Sequence, residues 1–166
     1  MKCPDCGYVN LAGEETCESC SAPLSSLALP EAKAKKGVQK KLLEGTIKQI
    51  GIQNAELLPL QTSVAQAVRF MREHKIGSVL VGEKGKLFAI CTERDILMEV
   101  AGLQDPEKVR LSFVMKAEPQ MLHEDDAVTF AFHNMAMRDY RHIPIKRSDG
   151  TYGIISARDL LRYLCQ

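Results

Sequence analysis

The chain repeats itself. Aligning Val64 with Val128 sets an offset of 128 − 64 = 64 residues, and the register holds without a gap to Leu97 against Leu161. Val64/Val128, Ala67/Ala131, Met71/Met135, Ile90/Ile154, Arg94/Arg158, Asp95/Asp159 and Leu97/Leu161 are identical pairs. Val79/Ile143, Val81/Ile145, Phe88/Tyr152, Thr92/Ser156 and Ile96/Leu160 are conservative ones. A duplication of this size requires the same local structure twice. It also requires that two copies, each short of core, bury one continuous core together.

Each copy reads as helix, strand, turn, strand, helix. Val64, Ala67, Val68 and Met71, and then Val128, Ala131, Phe132 and Met135, recur at the spacing of an amphipathic helix. A β-rich run follows, Ser78–Val81 or His142–Ile145, then a charged turn with Gly85 or Gly150. A second strand, Leu87–Cys91 or Tyr152–Ile155, leads into a last helix that carries Ile96, Leu97 and Val100 or Leu160, Leu161 and Leu164. The expected division is a first copy over 43–103 and a second over 104–166. Ahead of them lie a cysteine-rich segment, 1–24, and a linker, 25–42, whose part from Glu31 has helical character interrupted at Gly37. Lys33, Lys35, Lys36, Lys40 and Lys41 read as a solvated face of that linker.

The strand-to-helix corners carry the candidate chemistry. Thr92-Glu93-Arg94-Asp95 and Ser156-Ala157-Arg158-Asp159 place a hydroxyl at a helix start and a carboxylate three residues on, which is the pattern of a capping box. The same corner offers free N–H groups and the positive end of a helix dipole to a phosphate, while a carboxylate accepts hydrogen bonds from ribose hydroxyls. Its recurrence at both ends of the repeat favours the nucleotide reading.

Gly153-Ile154-Ile155-Ser156-Ala157-Arg158-Asp159 resembles the signature of the CBS (cystathionine β-synthase-type) domain family, and Ala89-Ile90-Cys91-Thr92-Glu93-Arg94-Asp95 resembles it with Ala for Gly. Arg141-His142-Ile143-Pro144-Ile145 resembles the family's basic-hydrophobic-Pro strand. Val114-Met115-Lys116-Ala117-Glu118-Pro119 resembles its Met-Thr-x-x-Pro lead-in, with Lys for Thr. The resemblance covers roughly residues 43–164. It implies an α/β fold of tandem CBS domains, two βαββα-type repeats in a pseudo-twofold Bateman module with two clefts. It further implies regulatory binding of AMP, ADP, ATP or S-adenosylmethionine, and a homodimeric disk. By matched position Asp95 and Asp159 would hold ribose, and Thr92 and Ser156 would contact phosphate. Ile143 and Pro144 would line a base pocket, Arg141, His142 and Arg158 would neutralise phosphate, and Arg94 and Pro119 are further binding candidates. The first copy has Gly77-Ser78-Val79-Leu80 in place of the Arg-His-Ile-Pro strand, so the Asp159 cleft is the favoured one.

The N-terminal segment is the other strong motif. Cys3-x-x-Cys6 and Cys17-x-x-Cys20 are separated by 17 − 6 − 1 = 10 residues, and two such turns can close a tetrahedral four-sulfur site. The segment is similar to the short zinc-ribbon family, with Ser21 where Gly often follows the second turn. The competing readings are rubredoxin-like iron, which would bring electron transfer, and a redox disulfide pair. Cys91 reads as a buried small hydrophobe or a thiol near the first cleft, and His74, His123 and His133 read as isolated histidines. The methionines Met71, Met98, Met115, Met121, Met135 and Met137 stand mostly at core spacing.

Net charge is +1, so no global field draws the chain to nucleic acid, and no apolar run reaches the roughly 18 residues of a membrane span. There is no phosphate-binding Gly-rich loop and no nucleophile–base pair. The sequence therefore predicts a non-enzymatic, cytoplasmic regulator that binds an adenine nucleotide and zinc, with the ribbon contacting an unidentified protein partner. The alternative is a ribbon adaptor for protein or nucleic acid that uses an empty CBS pair as a dimerisation scaffold.

Overall fold

A computed structural model describes residues 2–3, 5–11, 14, 16–22, 24, 37–100, 102, 104–138 and 140–166. The chain divides into two compact units. The first, Met1–Gly51 with Asp125–Arg141 and Ser156–Gln166, is a helical unit that includes the cysteine segment. The second, Ile52–Glu124 with His142–Ile155, is a sheet unit. Residues 25–36 of the expected linker lie outside the described residues, but from Val38 the chain is helix α1 (Val38–Glu44), begun after Gly37 at φ +65°. Lys41 is not merely solvated: its Nζ donates to the Tyr163 carbonyl at 3.0 Å and lies over the Tyr163 ring.

The elements of the two copies match. The first copy opens on a 3₁₀-helix, Ile47–Ile50, followed by β1 (Gln53–Asn54), β2 (Leu57–Leu58), α2 (Val64–His74), β3 (Ser78–Glu83), β4 (Lys86–Thr92) and α3 (Glu93–Glu99). The second runs α4 (Leu111–Val114), β5 (Lys116–Ala117), β6 (Leu122–His123), α5 (Val128–Met137), β7 (His142–Lys146), β8 (Tyr152–Ser156) and α6 (Ala157–Cys165). The predicted helix–strand–turn–strand–helix plan holds in both. The lead-in helices and the two-residue strands are additional.

In the sheet unit, the copies exchange strands. One sheet has the order β2-β3-β4-β5 and the other β1-β8-β7-β6. Thus β1 of the first copy pairs antiparallel with β8 of the second (Gln53↔Ile154, Asn54↔Gly153), and β5 of the second pairs antiparallel with β4 of the first (Ala89↔Ala117, Ile90↔Lys116). The alternation of β3 sorts its side chains. Val79 and Val81 join Val64, Ala67 and Met71 of α2, Ile96 of α3, and Leu111 and Val114 in one core. Leu80, on the opposite face, packs with Ile90 and Ile154. Met71 is core, whereas Met98 and Met137 are exposed, contrary to the spacing-based expectation.

The lead-in segments are exchanged as well. Within the sheet unit, Val64 N–H donates to the Val109 carbonyl and Leu111 N–H to that of Thr62, both at 2.9 Å. Within the helical unit the repeat partners do the same: Val128 N–H bonds Gly45 and Ile47 N–H bonds Asp126, again at 2.9 Å. Each helix therefore finds acceptors for orphan N–H groups of its first turn on the other copy's lead-in. Helix α2 is also capped by its own Ser63, in a reciprocal box with Gln66. Helix α5 starts from Ala127 with no side-chain cap.

Gly153 marks the crossing of β1 and β8. A Cβ there would collide with Ile52 Cγ2 and stand 2.8 Å from the Gln53 carbonyl oxygen, while the matching position of the first copy is a fully buried Ala89. Gly153→Ala is expected to cost about 1–3 kcal/mol of stability through overpacking. Urea unfolding checks this, and a loss below about 0.5 kcal/mol would show that β1 yields without consequence.

Candidate functional site

Three groups of residues are candidates: the two strand-to-helix corners, a cavity in the sheet unit, and the cysteine cluster. The corners fold alike. At the first, Asp95 Oδ2 accepts from Thr92 N–H at 2.9 Å and from the Thr92 hydroxyl at 2.6 Å, and Thr92 Oγ1 accepts from Asp95 N–H at 3.3 Å. At the second, Asp159 Oδ2 accepts from Ser156 N–H at 2.9 Å and from its hydroxyl at 2.6 Å. Both are full capping boxes. Each hydroxyl proton is committed to its own carboxylate, so contact with a phosphate requires the hydroxyl to rotate.

The second oxygen of each carboxylate meets a cation. Asp95 Oδ1 pairs with Lys116 Nζ at 3.0 Å, and that lysine is the residue standing for Thr in the lead-in of the second copy. Asp159 Oδ1 lies 3.4 Å from Arg162 Nη1, a looser contact from its own helix. Burial works to raise the Asp95 pKa, but the bonds from Thr92 and the Lys116 ammonium outweigh it and hold the carboxyl below its ordinary value. Lys116 is itself largely exposed, so a ligand can compete it away from Asp95.

The basic strand is divided between the units. Arg141 stands in the helical unit with Ser156, Arg158 and Asp159, and its carbonyl accepts from Ala157 N–H at 2.9 Å. His142, Ile143 and Pro144 stand in the sheet unit with Thr92, Arg94 and Asp95. There His142 lies beside the first corner: a Cβ on Gly77 would be 3.4 Å from His142 Cε1 and 3.2 Å from a Glu93 carboxylate oxygen. Ile143 and Pro144 are buried, Pro119 is half-buried after Glu118 at φ +50°, and Arg94, Arg141 and Arg158 are exposed.

The cavity was not legible in the sequence. It measures about 250 Å³ and is lined by the 53–56 segment, Phe70 and His74 of α2, Ile76, the start of β3 and Ile154. Phe70 and His74 stack at 4.1 Å between ring centroids, and His74 Nδ1 lies 2.9 Å from the Phe70 carbonyl oxygen. On its wall, Ser78 is 2% exposed and its hydroxyl has no hydrogen-bond partner among the described residues. A buried hydroxyl left unpaired costs about 1–3 kcal/mol, which marks it for a ligand or water.

The four N-terminal cysteines come together, with sulfurs all within 4.8 Å of one another, and can hold a metal ion. Cys3 and Cys20 Sγ are 3.7 Å apart and Cys6 and Cys17 Sγ 3.5 Å. A tetrahedron with metal–sulfur bonds of about 2.3 Å has edges of roughly 3.8 Å, so the set fits a closed four-thiolate zinc site. The two turns are built alike. Gly7 N–H bonds the Cys3 carbonyl and Ser21 N–H the Cys17 carbonyl, with Gly7 at φ +74° and Ser21 at φ +58°. Desolvation opposes ionisation of Cys17, but N–H donors from Cys20, Ser19 and Asn10 bring it down to about 6. The Ala22 N–H favours the Cys20 thiolate, yet desolvation and the other three thiols push it up to about 12. A divalent cation among the four removes that mutual opposition. Cys91 is outside this chemistry: burial, with the nearby Asp95 charge, pushes its thiol up to about 12.

A family model for the CBS domain matches this chain twice, over residues 47–102 and 109–166. An uncharacterized 17.7 kDa protein of Acidianus ambivalens is 33% identical over 120 residues, covering 71% of this chain and 72% of its own. An uncharacterized protein of Methanopyrus kandleri is 35% identical over 107 residues, covering 63% of this chain and 54% of its own length. Among solved structures, a hexameric CBS-CP12 protein from bloom-forming cyanobacteria aligns with a TM-score of 0.62 at 27% identity, over 70% of each chain. Hypoxic Response Protein I, solved with two coordinated zinc ions, aligns with a TM-score of 0.61 at 21% identity over 72% of this chain and 98% of that one, a likeness of fold. Among the described residues, no helix is long and apolar enough to cross a membrane.

The depressed Asp95 pKa has a signed consequence. A carboxyl whose folded pKa lies below its unfolded value contributes stability above about pH 4, and that contribution is lost as pH falls through the folded pKa. Asp95→Asn should therefore lower the urea midpoint at pH 7 and narrow its gap to wild type at pH 3. Both proteins share the metal site, so the difference between them isolates the carboxylate. An unchanged gap across that range would mean that the Lys116 pair does not hold Asp95 ionised.

Proposed function

The chain belongs to the CBS-domain family, whose paired domains are regulatory or ligand-binding modules, and on that premise we propose that it binds an adenine nucleotide in the Ser78 cavity and one structural zinc in its cysteine ribbon. The observation that carries the nucleotide reading is the unpaired Ser78 hydroxyl on a cavity wall shared with Phe70 and His74. A purine edge offers both donors and acceptors, so it can answer a hydroxyl in either role. The volume, about 250 Å³, is below the roughly 300–1,000 Å³ of sites that engulf a drug-sized ligand. It suits a base with its sugar and leaves phosphates outside, for cations to meet. Within the helical unit, Asp159 with Ser156, Arg158 and Arg141 is a second, separate candidate, to which the matched family positions assign ribose and phosphate contacts. The chemistry asked of these residues is binding alone.

Dimerisation is supported by repeat-related exposure. Val68 and Phe132 are exposed at matching positions, as are Leu97 and Leu161 at 66% and 61%. Apolar side chains left in solvent at the same places in each copy suit surfaces covered by a second chain. A second reading, the ribbon as a contact for a partner protein, draws on Tyr8, Val9 and Leu11, all exposed.

Ser78→Ala separates a ligand site from a structural role because its two effects run in opposite directions. Removing an unpaired buried hydroxyl should leave the ligand-free protein as stable as wild type or more so. The thermal shift produced by millimolar AMP, ADP, ATP or S-adenosylmethionine should shrink, whereas a shift lost only in Asp159→Ala would place the nucleotide at the second corner instead. A flat wild-type panel would remove the nucleotide reading and leave the ribbon adaptor. For assembly, Leu97→Lys with Leu161→Lys should halve the mass measured by sedimentation equilibrium, and an unchanged mass would place the interface elsewhere.

A further inference from the structure

The ribbon is not an isolated bead on a linker. Asp5, between the first two cysteines, reaches Arg138 Nη2 at 2.6 Å and lies 3.7 Å from His133 Nε2. Both partners belong to the C-terminal half of α5 and its cap. The contact is shielded: the Asp5 and His133 side chains are 12% and 11% exposed. Lys2 adds a longer pair to Asp126, just ahead of the same helix, at 3.8 Å. Asp5 is held to the cysteine cage by its own backbone, whose N–H donates to Cys3 Sγ at 3.4 Å.

We infer that the ribbon is a metal-set clamp on the second CBS copy: zinc in the four-cysteine site fixes the Cys3–Cys6 turn, and Asp5 on that turn holds helix α5 through Arg138 and His133. A carboxylate on a mobile turn spends entropy to keep one geometry with a long arginine side chain, and that cost falls when metal has already ordered the turn. A segment of so few residues has little core of its own, so its order depends on the metal. The consequence is directional. Arg138 stands at the repeat position of His74 (138 − 64 = 74), and His74 lines the cavity of the first copy. The ribbon thus engages a residue of the second copy; among the described residues the first copy has no such clamp, and metal loss loosens one copy.

This inference rests on the metal reading above, so zinc content is measured beside it. Hydrogen exchange over 128–138 is followed in the full-length, zinc-loaded protein before and after EDTA, for wild type, Asp5→Ala and Arg138→Met. In wild type, EDTA should speed exchange in the C-terminal half of α5 by roughly tenfold. Asp5→Ala should retain zinc, since its side chain is not a ligand, yet exchange α5 at the EDTA-treated rate and respond little to EDTA. Arg138→Met leaves the ribbon untouched and should behave in the same way; it decides the matter if Asp5→Ala loses metal. Zinc-loaded variants with wild-type protection of α5, or variants as responsive to EDTA as wild type, would overturn the clamp. A wild-type protein that takes up no zinc would overturn the metal reading instead, and the clamp with it.

Discussion

The fold depends on reciprocal strand exchange. Each copy supplies its partner's sheet with an edge strand, β1 to β8 and β5 to β4, and supplies the other's first long helix with backbone acceptors. Neither copy is complete alone, because the fourth strand of each sheet comes from the other. This satisfies backbone groups that two separate three-stranded sheets would leave open, and covers edges that would otherwise invite aggregation. It also brings residues distant in sequence to one place, such as Lys116 on Asp95 and Ile154 on the wall beside Ser78.

The duplication is not symmetric in its chemistry. Gly153 corresponds to Ala89, Asn134 to Phe70, and His142 to Ser78 in the repeat. Where β1 presses on β8, only a glycine fits, whereas β4 accommodates Ala89 beneath β5. Where the first copy stacks Phe70 on His74 beside a cavity, the second buries Asn134 completely, with neither amide atom hydrogen-bonded among the described residues. Copies that began alike have been fitted to different duties.

Periodicity decided how much was legible. Helices α2 and α5 and strands β3, β4, β7 and β8 carry enough residues for a helical or alternating pattern, and these were read correctly from their apolar positions. Strands of two residues carry no period, and their pairing partners lie in the other copy, so β1, β2, β5 and β6 left no local trace. The capping boxes at Thr92–Asp95 and Ser156–Asp159 were visible because they are local. Lys116 was noticed as a departure from the family pattern, but its ion pair with Asp95 follows from the exchanged strand, and the sequence could not reveal that. Ser78 read as the absence of a histidine, when its consequence is an unpaired hydroxyl in a cavity. The cysteine spacing foretold the cage, while the part of Asp5 depended on a helix far along the chain.

That distance bears on the order of biosynthesis. The four thiols lie between positions 3 and 20, so in a growing chain the metal site is complete well before α5 is made. Asp5 must then wait through 138 − 5 = 133 further residues before Arg138 exists. Metal acquisition is therefore an early event and docking a late one. The Asp5–Arg138 contact is a seal that only a chain translated through α5 can make.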